Sequence, residues 1–224
     1  MRPLSVVIPV LNEAQALPAL LVSLRGQVHE LIVVDGGSTD PTPELALAGG
    51  ARLLRAPRGR GGQLNAGAAA ATGEQLWFLH ADSGVPAGLP ARISAAAEQF
   101  LWGCCAVDFG DPDPRLRLTA AAMNRRARRS GSCTGDMGIW IHRRFFEDLG
   151  GFAPLAALED LDFSFRARRR APWTLVEGPL HSSSRRWRRE GMNRTILKMW
   201  AIRSGFYLGV DPARLAAWYR SHPR

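Results

Sequence analysis

Apolar positions along this 224-residue chain fall into two alternating rhythms. Ser5 to Val10 is a run of β-branched and apolar residues interrupted only by Pro9, and Leu31 to Val34 is a second run. Both read as buried strands. Leu76 to Leu79 repeats the pattern, and Ala51 to Leu54 is a shorter candidate. Between these runs the spacing changes. Leu17, Leu20, Leu21 and Leu24 recur at helical intervals, Thr42-Pro43 reads as the cap and first turn of a helix, and Asn65 to Thr72 is an Ala-rich helix after a Gly-rich loop. Strands alternating with helices predict an α/β fold, a mostly parallel sheet flanked by helices on both faces.

The second half is less regular. Cys104 to Phe109 and Trp173 to Val176 read as short strands. Arg115 to Arg129, Arg143 to Leu149, Leu158 to Arg169, Asn193 to Tyr207 and Ala213 to Tyr219 read as helices. In open sheets of this kind ligands bind beyond the carboxyl ends of the strands. Here those ends carry Asn12-Glu13, Asp35 and His80-Ala81-Asp82, so three polar clusters are expected to converge on one crevice.

Charge sharpens this picture. Residues 1–110 hold seven basic and nine acidic side chains, residues 111–224 hold 22 and 11, and all but Lys198 of the basic ones are Arg. A half of net charge +11 is expected to meet something anionic: a diphosphate, a nucleic acid strand or an anionic membrane surface. The bland alternative is a solvated Arg-rich face. An apolar content of 46% excludes a chain without a core. The three cysteines, two of them adjacent, form neither a disulfide framework nor a zinc spacing. The first residues lack the shape of a signal peptide, and no charge-free apolar stretch reaches the ~18 residues of a membrane span. The expectation is a cytoplasmic protein, with contact to the inner face of a membrane left open.

Each polar cluster has a chemical reading beside a structural one. Asp35-Gly36-Gly37 can bind a nucleobase or ribose, or be a plain turn. Arg58-Gly59-Arg60-Gly61-Gly62 suits phosphate oxygens, or is a flexible basic loop. Asp82 can hold a divalent metal bridging two phosphates, or cap a turn. Glu159-Asp160 can supply a general base, or only complement a helix dipole. Arg185-Arg186-Trp187-Arg188-Arg189 can clamp a diphosphate or rest on nucleic acid or lipid, with His181 just before it. No GxGxxG follows the first strand and no Walker A lysine follows the Gly-rich loop, which argues against NAD and P-loop chemistry.

Taken in order, these blocks resemble family 2 glycosyltransferases of the GT-A fold. The residues that carry the resemblance are Ser5-Val6-Val7-Ile8-Pro9-Val10-Leu11-Asn12-Glu13, Ile32-Val33-Val34-Asp35-Gly36-Gly37-Ser38-Thr39-Asp40, Gly59 to Gly67, Leu79-His80-Ala81-Asp82, Gly150-Gly151-Phe152 and Leu158-Glu159-Asp160. Gly135-Asp136-Met137-Gly138 and Arg185-Arg186-Trp187 resemble blocks of a short single-domain subgroup, the transferase 2 proteins associated with radical-SAM and selenium-related genes. The resemblance implies one GT-A domain over residues 1–224, with a nucleotide-sugar-binding half to about residue 110 and a basic acceptor-binding half after it. It implies an inverting hexosyl transfer from a nucleoside diphosphate sugar, UDP most often, to an acceptor hydroxyl or carboxyl that is lipid-linked, isoprenoid or otherwise.

By the same resemblance Asp160 is the base, with Glu159 beside it. Pro9, Asn12, Glu13, Asp35, Arg60, Asn65, His80, Ala81 and Asp82 line the nucleotide-sugar site. Asp136, Arg185, Arg186 and Trp187 meet the acceptor or diphosphate, and Asp82 with His181 holds Mn²⁺ or Mg²⁺. Two positions depart from the family pattern: His80 stands where an acidic residue is usual, and Met137 where Gln is. The alternatives are a sugar-phosphate nucleotidyltransferase, whose basic loop after the first strand is missing here, and a non-catalytic nucleotide or nucleic-acid binder. No specific nucleic acid partner is expected.

Overall fold

The computed structural model describes residues 2–221, and in them strands and helices alternate as the apolar rhythm predicts. The order is β1 (Leu4–Val10), α1 (Leu17–Leu24), β2 (Glu30–Asp35), α2 (Thr42–Ala48), β3 (Arg52–Arg55), α3 (Arg60–Ala70), β4 (Gln75–Phe78) and α4 (Leu89–Ala96). It continues with β5 (Trp102–Asp108), α5 (Pro114–Ser130), a 3₁₀ turn (Gly135–Met137), β6 (Trp140–His142), α6 (Arg143–Asp148), α7 (Glu159–Arg168), β7 (Trp173–His181), α8 (Arg185–Glu190), α9 (Met192–Tyr207) and α10 (Pro212–Ser221).

The strands form one seven-stranded sheet in the order β3-β2-β1-β4-β6-β5-β7. All neighbours are parallel except β6, which runs antiparallel to both β4 and β5. Side chains alternate between two cores, as the pleat requires. Val6, Ile8, Val10, Val33 and Trp77 face α1, α2 and α4 on one side. Val7, Ile32, Val34, Leu76 and Phe78 face α3, α5 and a cluster of Phe145, Phe146, Phe152 and Phe163 on the other. This is the expected α/β class with a mostly parallel sheet.

Pairing also opens the crevice. The β1–β2 register continues to Val10↔Asp35, whereas β1–β4 ends at Val7↔Phe78. Pro9 lies two residues beyond Val7, is directed to the same neighbour, and has no N–H to carry that ladder further. The chain therefore separates where Asn12-Glu13 leaves β1 and His80-Asp82 leaves β4.

The largest departures from the sequence-based bounds are at α3 and β7, and α8 is an element the apolar pattern did not predict. Helix α3 begins at Arg60, not Asn65, so Arg60-Gly61-Gly62 is its first turn and not a loop. Gly61 is there for close packing: a Cβ would stand 3.1 Å from the Ala153 carbonyl oxygen and 3.6 Å from the Glu159 side chain. Strand β7 runs on past Val176 to His181 because it stays paired with β5 across an irregularity between Cys105 and Val107. Helix α8 arises from the Arg-Trp block, anchored where Arg188 Nε and Nη2 donate to Asp111 at 2.9 and 2.7 Å and Trp187 meets the Phe109 ring.

Candidate active site

At the β1 and β2 ends, side chains tie two loops together. Asn12 adopts φ 56°, a left-handed conformation that Asn tolerates. Its Oδ1 accepts from the Thr39 N–H at 2.8 Å, and its own N–H donates to Ser38 Oγ at 2.9 Å. The buried Asp35 carboxylate accepts from the Gly37 and Ser38 amides at 3.2 and 3.0 Å. Beside it lies an open depression of about 470 Å³ lined by Asp35 to Ser38 and Arg55 to Arg58, within the size range of small-ligand sites.

Gln63 fastens this corner from below. Its buried Nε2 donates to the carbonyls of Val10 and Val34 at 3.0 and 2.8 Å, at the ends of β1 and β2. Sequence reasoning placed Gln63 in a motif block without giving it a role, and likewise left Arg55 unassigned. Asn65 does a similar job on the other side of α3. Its Nδ2 donates to the Phe152 carbonyl at 2.8 Å and its Oδ1 accepts from the Phe152 N–H at 2.9 Å, latching the Gly150-Gly151-Phe152 turn to the helix.

The charged residues converge in two groups. In the first, Arg185 Nη2 lies 3.5 Å from Asp82 and 3.9 Å from Glu13. Burial and the neighbouring Asp82 raise the Glu13 pKa above its ordinary 4.5, against the opposing pull of Arg185. His181 ends β7 beside this group: its backbone pairs with Gly84, N to O at 2.7 and 2.8 Å, two residues past Asp82.

The second group surrounds a small cleft of about 20 Å³. Arg60 Nε donates to the almost wholly buried Glu159, its Nη2 lies 3.6 Å from Asp160, and its Nη1 is 3.0 Å from His80 Nε2. Desolvation would lower the Arg60 pKa, but Glu159 and Asp160 outweigh it and hold the guanidinium firmly charged. His80 Nδ1 is 3.3 Å from Asp136. Asp160 accepts from the N–H groups of Gly135 and Leu161, both at 2.7 Å, one on each oxygen. Its carboxylate keeps free lone pairs, because an ionised carboxylate has about four acceptor sites. Glu159, Asp160 and Asp162 all stand in the first turn of α7, whose dipole favours negative charge there.

So Glu13, Asp82 and Arg185, and separately Arg60, His80, Asp136, Glu159 and Asp160, come together. Asn65 is committed to the Phe152 turn, Ala81 is buried in the core, and the Trp187 ring packs edge-on against Phe109. The Arg186 side chain lies outside the described residues. Among the described residues no three His, Cys, Asp or Glu form a ready-made metal cage. Asp82 and the exposed His181 stand on neighbouring segments joined by the Gly84–His181 backbone pair, and each has a side chain of a type that ligates divalent metals. Two cations that sequence reasoning missed, Arg126 on α5 and Arg203 on α9, also stand within electrostatic reach of Asp160. Their only sequence signal is position: each adjoins a buried stripe, Leu116-Ala120-Met123-Ala127 and Thr195-Lys198-Ile202.

Comparison with known proteins gives this arrangement a context. Residues 5–172 match the profile described as glycosyl transferase family 2. The chain belongs to that family. An uncharacterized glycosyltransferase of Mycobacterium tuberculosis is 38% identical over 92 residues, covering 40% of this chain and 42% of its own. The undecaprenyl-phosphate 4-deoxy-4-formamido-L-arabinose transferase of Yersinia pestis is 31% identical over 156 residues, covering 62% of this chain and 48% of its own. The chain thus spans less than half the length of these curated relatives. Among solved structures, glucosyl-3-phosphoglycerate synthase of M. tuberculosis with Mg²⁺ and UDP aligns with TM-score 0.62 and 25% identity, covering 91% of this chain and 80% of that one. S. aureus TarS 1–349 aligns with TM-score 0.63 and 18% identity, covering 81% and 60%. The architecture is that of GT-A glycosyltransferases.

Proposed function

We propose that this glycosyltransferase moves a hexose from a nucleoside diphosphate sugar, UDP-linked by preference, to an acceptor hydroxyl or carboxyl with inversion at the anomeric carbon. The observation that carries the reading is that Arg60 bridges Asp160, 3.6 Å from Nη2, and His80, whose Nε2 is 3.0 Å from Nη1, just past the end of β4. In this reading the first 110 residues or so take the donor and the remainder takes the acceptor. The nucleoside occupies the depression beside Asp35, and the diphosphate lies along Arg60 and Arg185 near Asp82.

The step is a single displacement. Asp160 accepts the proton of the acceptor group, and the acceptor oxygen forms its bond to the anomeric carbon as the bond to the diphosphate oxygen breaks on the opposite face. Arg60 and Arg185 oppose the charge that develops on the leaving group. Asp82 and His181 would hold a divalent cation, Mn²⁺ or Mg²⁺ as in the complexes of glucosyl-3-phosphoglycerate synthase, which would supply further positive charge at the leaving group. Among the described residues no helix is long and apolar enough to cross a membrane. The exposed Leu197, Trp200, Leu208 and Val210, on α9 and just after it, suit peripheral contact with an anionic membrane from the cytoplasmic side.

Thermal unfolding with UDP, GDP or CMP, each with and without Mn²⁺, tests the donor site. Ligand at 100 times its Kd adds about 2.7 kcal/mol, or roughly 5–11 °C for a chain of this size. A Mn²⁺-dependent shift with UDP that Asp82→Ala removes is the expected result. No shift with any nucleotide defeats the reading.

A further inference from the structure

Two arginines lie on the acceptor side of Asp160 with no carboxylate of their own. Arg126 Nε donates to the Ser132 carbonyl at 3.0 Å, but its buried Nη2 has no hydrogen-bond partner. Arg203 approaches from α9, and among the described residues neither arginine forms an ion pair. The segment that joins them to the site carries a second orphan. Thr134 is buried and its Oγ1 also lacks a partner, while Gly135, next in the chain, donates its N–H to Asp160. The Ser132 hydroxyl meets the Tyr207 hydroxyl at 3.2 Å, which holds the end of α9 over this segment.

Such a cluster is costly unless something anionic completes it. Burial disfavours both guanidinium charges, and each is near the other. Burial and then Arg126 push the Arg203 pKa down to about 10, with Asp160, Tyr207 and Asp136 opposing the change. Burial likewise lowers Arg126. The unpartnered Nη2 of Arg126 and the planar fork of Arg203, which no described carboxylate pairs, match the oxygens of a phosphate, which accepts bidentate bonds from Arg. A guanidinium with a purely structural task would instead have its buried donors satisfied by the protein.

We propose that Arg126 and Arg203, with the Thr134 hydroxyl, bind a phosphate monoester on the acceptor and so fix that acceptor beside Asp160. The inference rests on the transfer reading above and names the chemical class of acceptor. The same phosphate chemistry is offered by a lipid phosphate and by a small soluble phosphate ester.

Calorimetric titration of the full chain, saturated with UDP and Mn²⁺, separates the outcomes. The probes are geranyl phosphate, glycerol 3-phosphate, geraniol and glycerol. The expected result is that at least one phosphate binds and its uncharged counterpart does not. Arg203→Gln and Arg126→Gln should then each weaken the phosphate by about 10- to 100-fold, the range for hydrogen bonds to charged groups, with UDP affinity unchanged. Arg203→Lys and Arg126→Lys should recover part of the loss. Arg203 is only partly buried, so its variants keep the test valid should those at Arg126 fail to fold. Binding of geranyl phosphate alone assigns a lipid source, and binding of glycerol 3-phosphate assigns a soluble one. Failure of both phosphates to bind, or Gln variants that bind them as tightly as wild type, overturns the proposal. A wild-type chain that ignores UDP defeats the transfer reading instead, and the phosphate titration then decides the subsite by itself.

Discussion

Replacing Gln63 with Met tests the idea that one buried amide fixes the geometry of the corner between the β1 and β2 ends. Met keeps the length and volume of the side chain but removes both donors. The two bonds lost are those to Val10 O at 3.0 Å and Val34 O at 2.8 Å. The Val10 carbonyl retains the Gly36 N–H at 3.0 Å, so it is weakened and not stranded. The third contact, from the Gly59 N–H to Oε1 at 3.4 Å, is long and adds little. At about 1 kcal/mol net for each good bond, Gln63→Met should cost about 2 kcal/mol. For a chain of this size that lowers the Tm by roughly 4–8 °C. Urea unfolding gives the free energy and scanning calorimetry the Tm. Gln63→Glu is the sharper companion. It sets a carboxylate against two carbonyl oxygens, so its folded pKa is raised. It should unfold more readily than Gln63→Met at neutral pH and recover as the pH falls and the carboxyl gains its proton. A Gln63→Met protein within about 0.5 kcal/mol of wild type, or a Gln63→Glu protein with no such pH dependence, refutes the argument.

Asp160→Asn keeps an acceptor for only one of the Gly135 and Leu161 amides and removes the base, so kcat should fall by about 10²–10⁴ while stability falls by only about 1–3 kcal/mol. Steady-state assays with the donor identified by thermal shift check this. Arg60→Leu leaves the 2%-exposed Glu159 without its cation and should cost about 3 kcal/mol by urea unfolding, whereas Glu159→Gln should cost less. Glu13 has a raised folded pKa, so its contribution is favourable below the ordinary value of 4.5 and is lost as the pH rises through the folded value. Glu13→Gln should therefore melt above wild type at pH 7, with the difference vanishing below about pH 4.5 when melting curves are run across that window.

The sequence made the first half legible because buried parallel strands leave a strong trace. β1, β2 and β4 are apolar runs that stop at polar residues, and the polar residues mark the site. The rest was hidden for identifiable reasons. Strand β6 is three residues long, too short for any rhythm, and its antiparallel direction is set by the strands it joins. Helix α4 is a mixed Ala-rich segment without a clear stripe, and no element was assigned there. The start of α3 was obscured because Gly61, a poor helix former, is required by the close approach of Ala153 and Glu159. Arg126 and Arg203 were invisible among 28 arginines, where only burial distinguishes them. Asn65 was readable as important, but its partner, the backbone of Phe152, lies 87 positions away.

The single reversed strand has a consequence for how such enzymes can be recombined. β6 is paired with β4 at Gln75↔His142, Leu76↔Ile141 and Trp77↔Trp140, and with β5 only at Trp102↔Ile141 and Gly103↔Trp140. Two parallel blocks, β3-β2-β1-β4 and β5-β7, are therefore joined through β6, and on the β5 side the fit is close: a Cβ at Gly103 would stand 2.7 Å from the Trp140 ring. A chimaera that keeps the block bearing Asn12, Asp35 and Asp82 and imports the chain after it from another family member must match the three β4–β6 pairs together with the Arg60–Glu159 ion pair, the Asn65 latch on Phe152 and the Trp77 Nε1 bond to the Gly138 carbonyl. The segment that carries Asp136, Asp160, Arg126 and Arg203 is therefore exchangeable only together with its matching partners on β4 and α3.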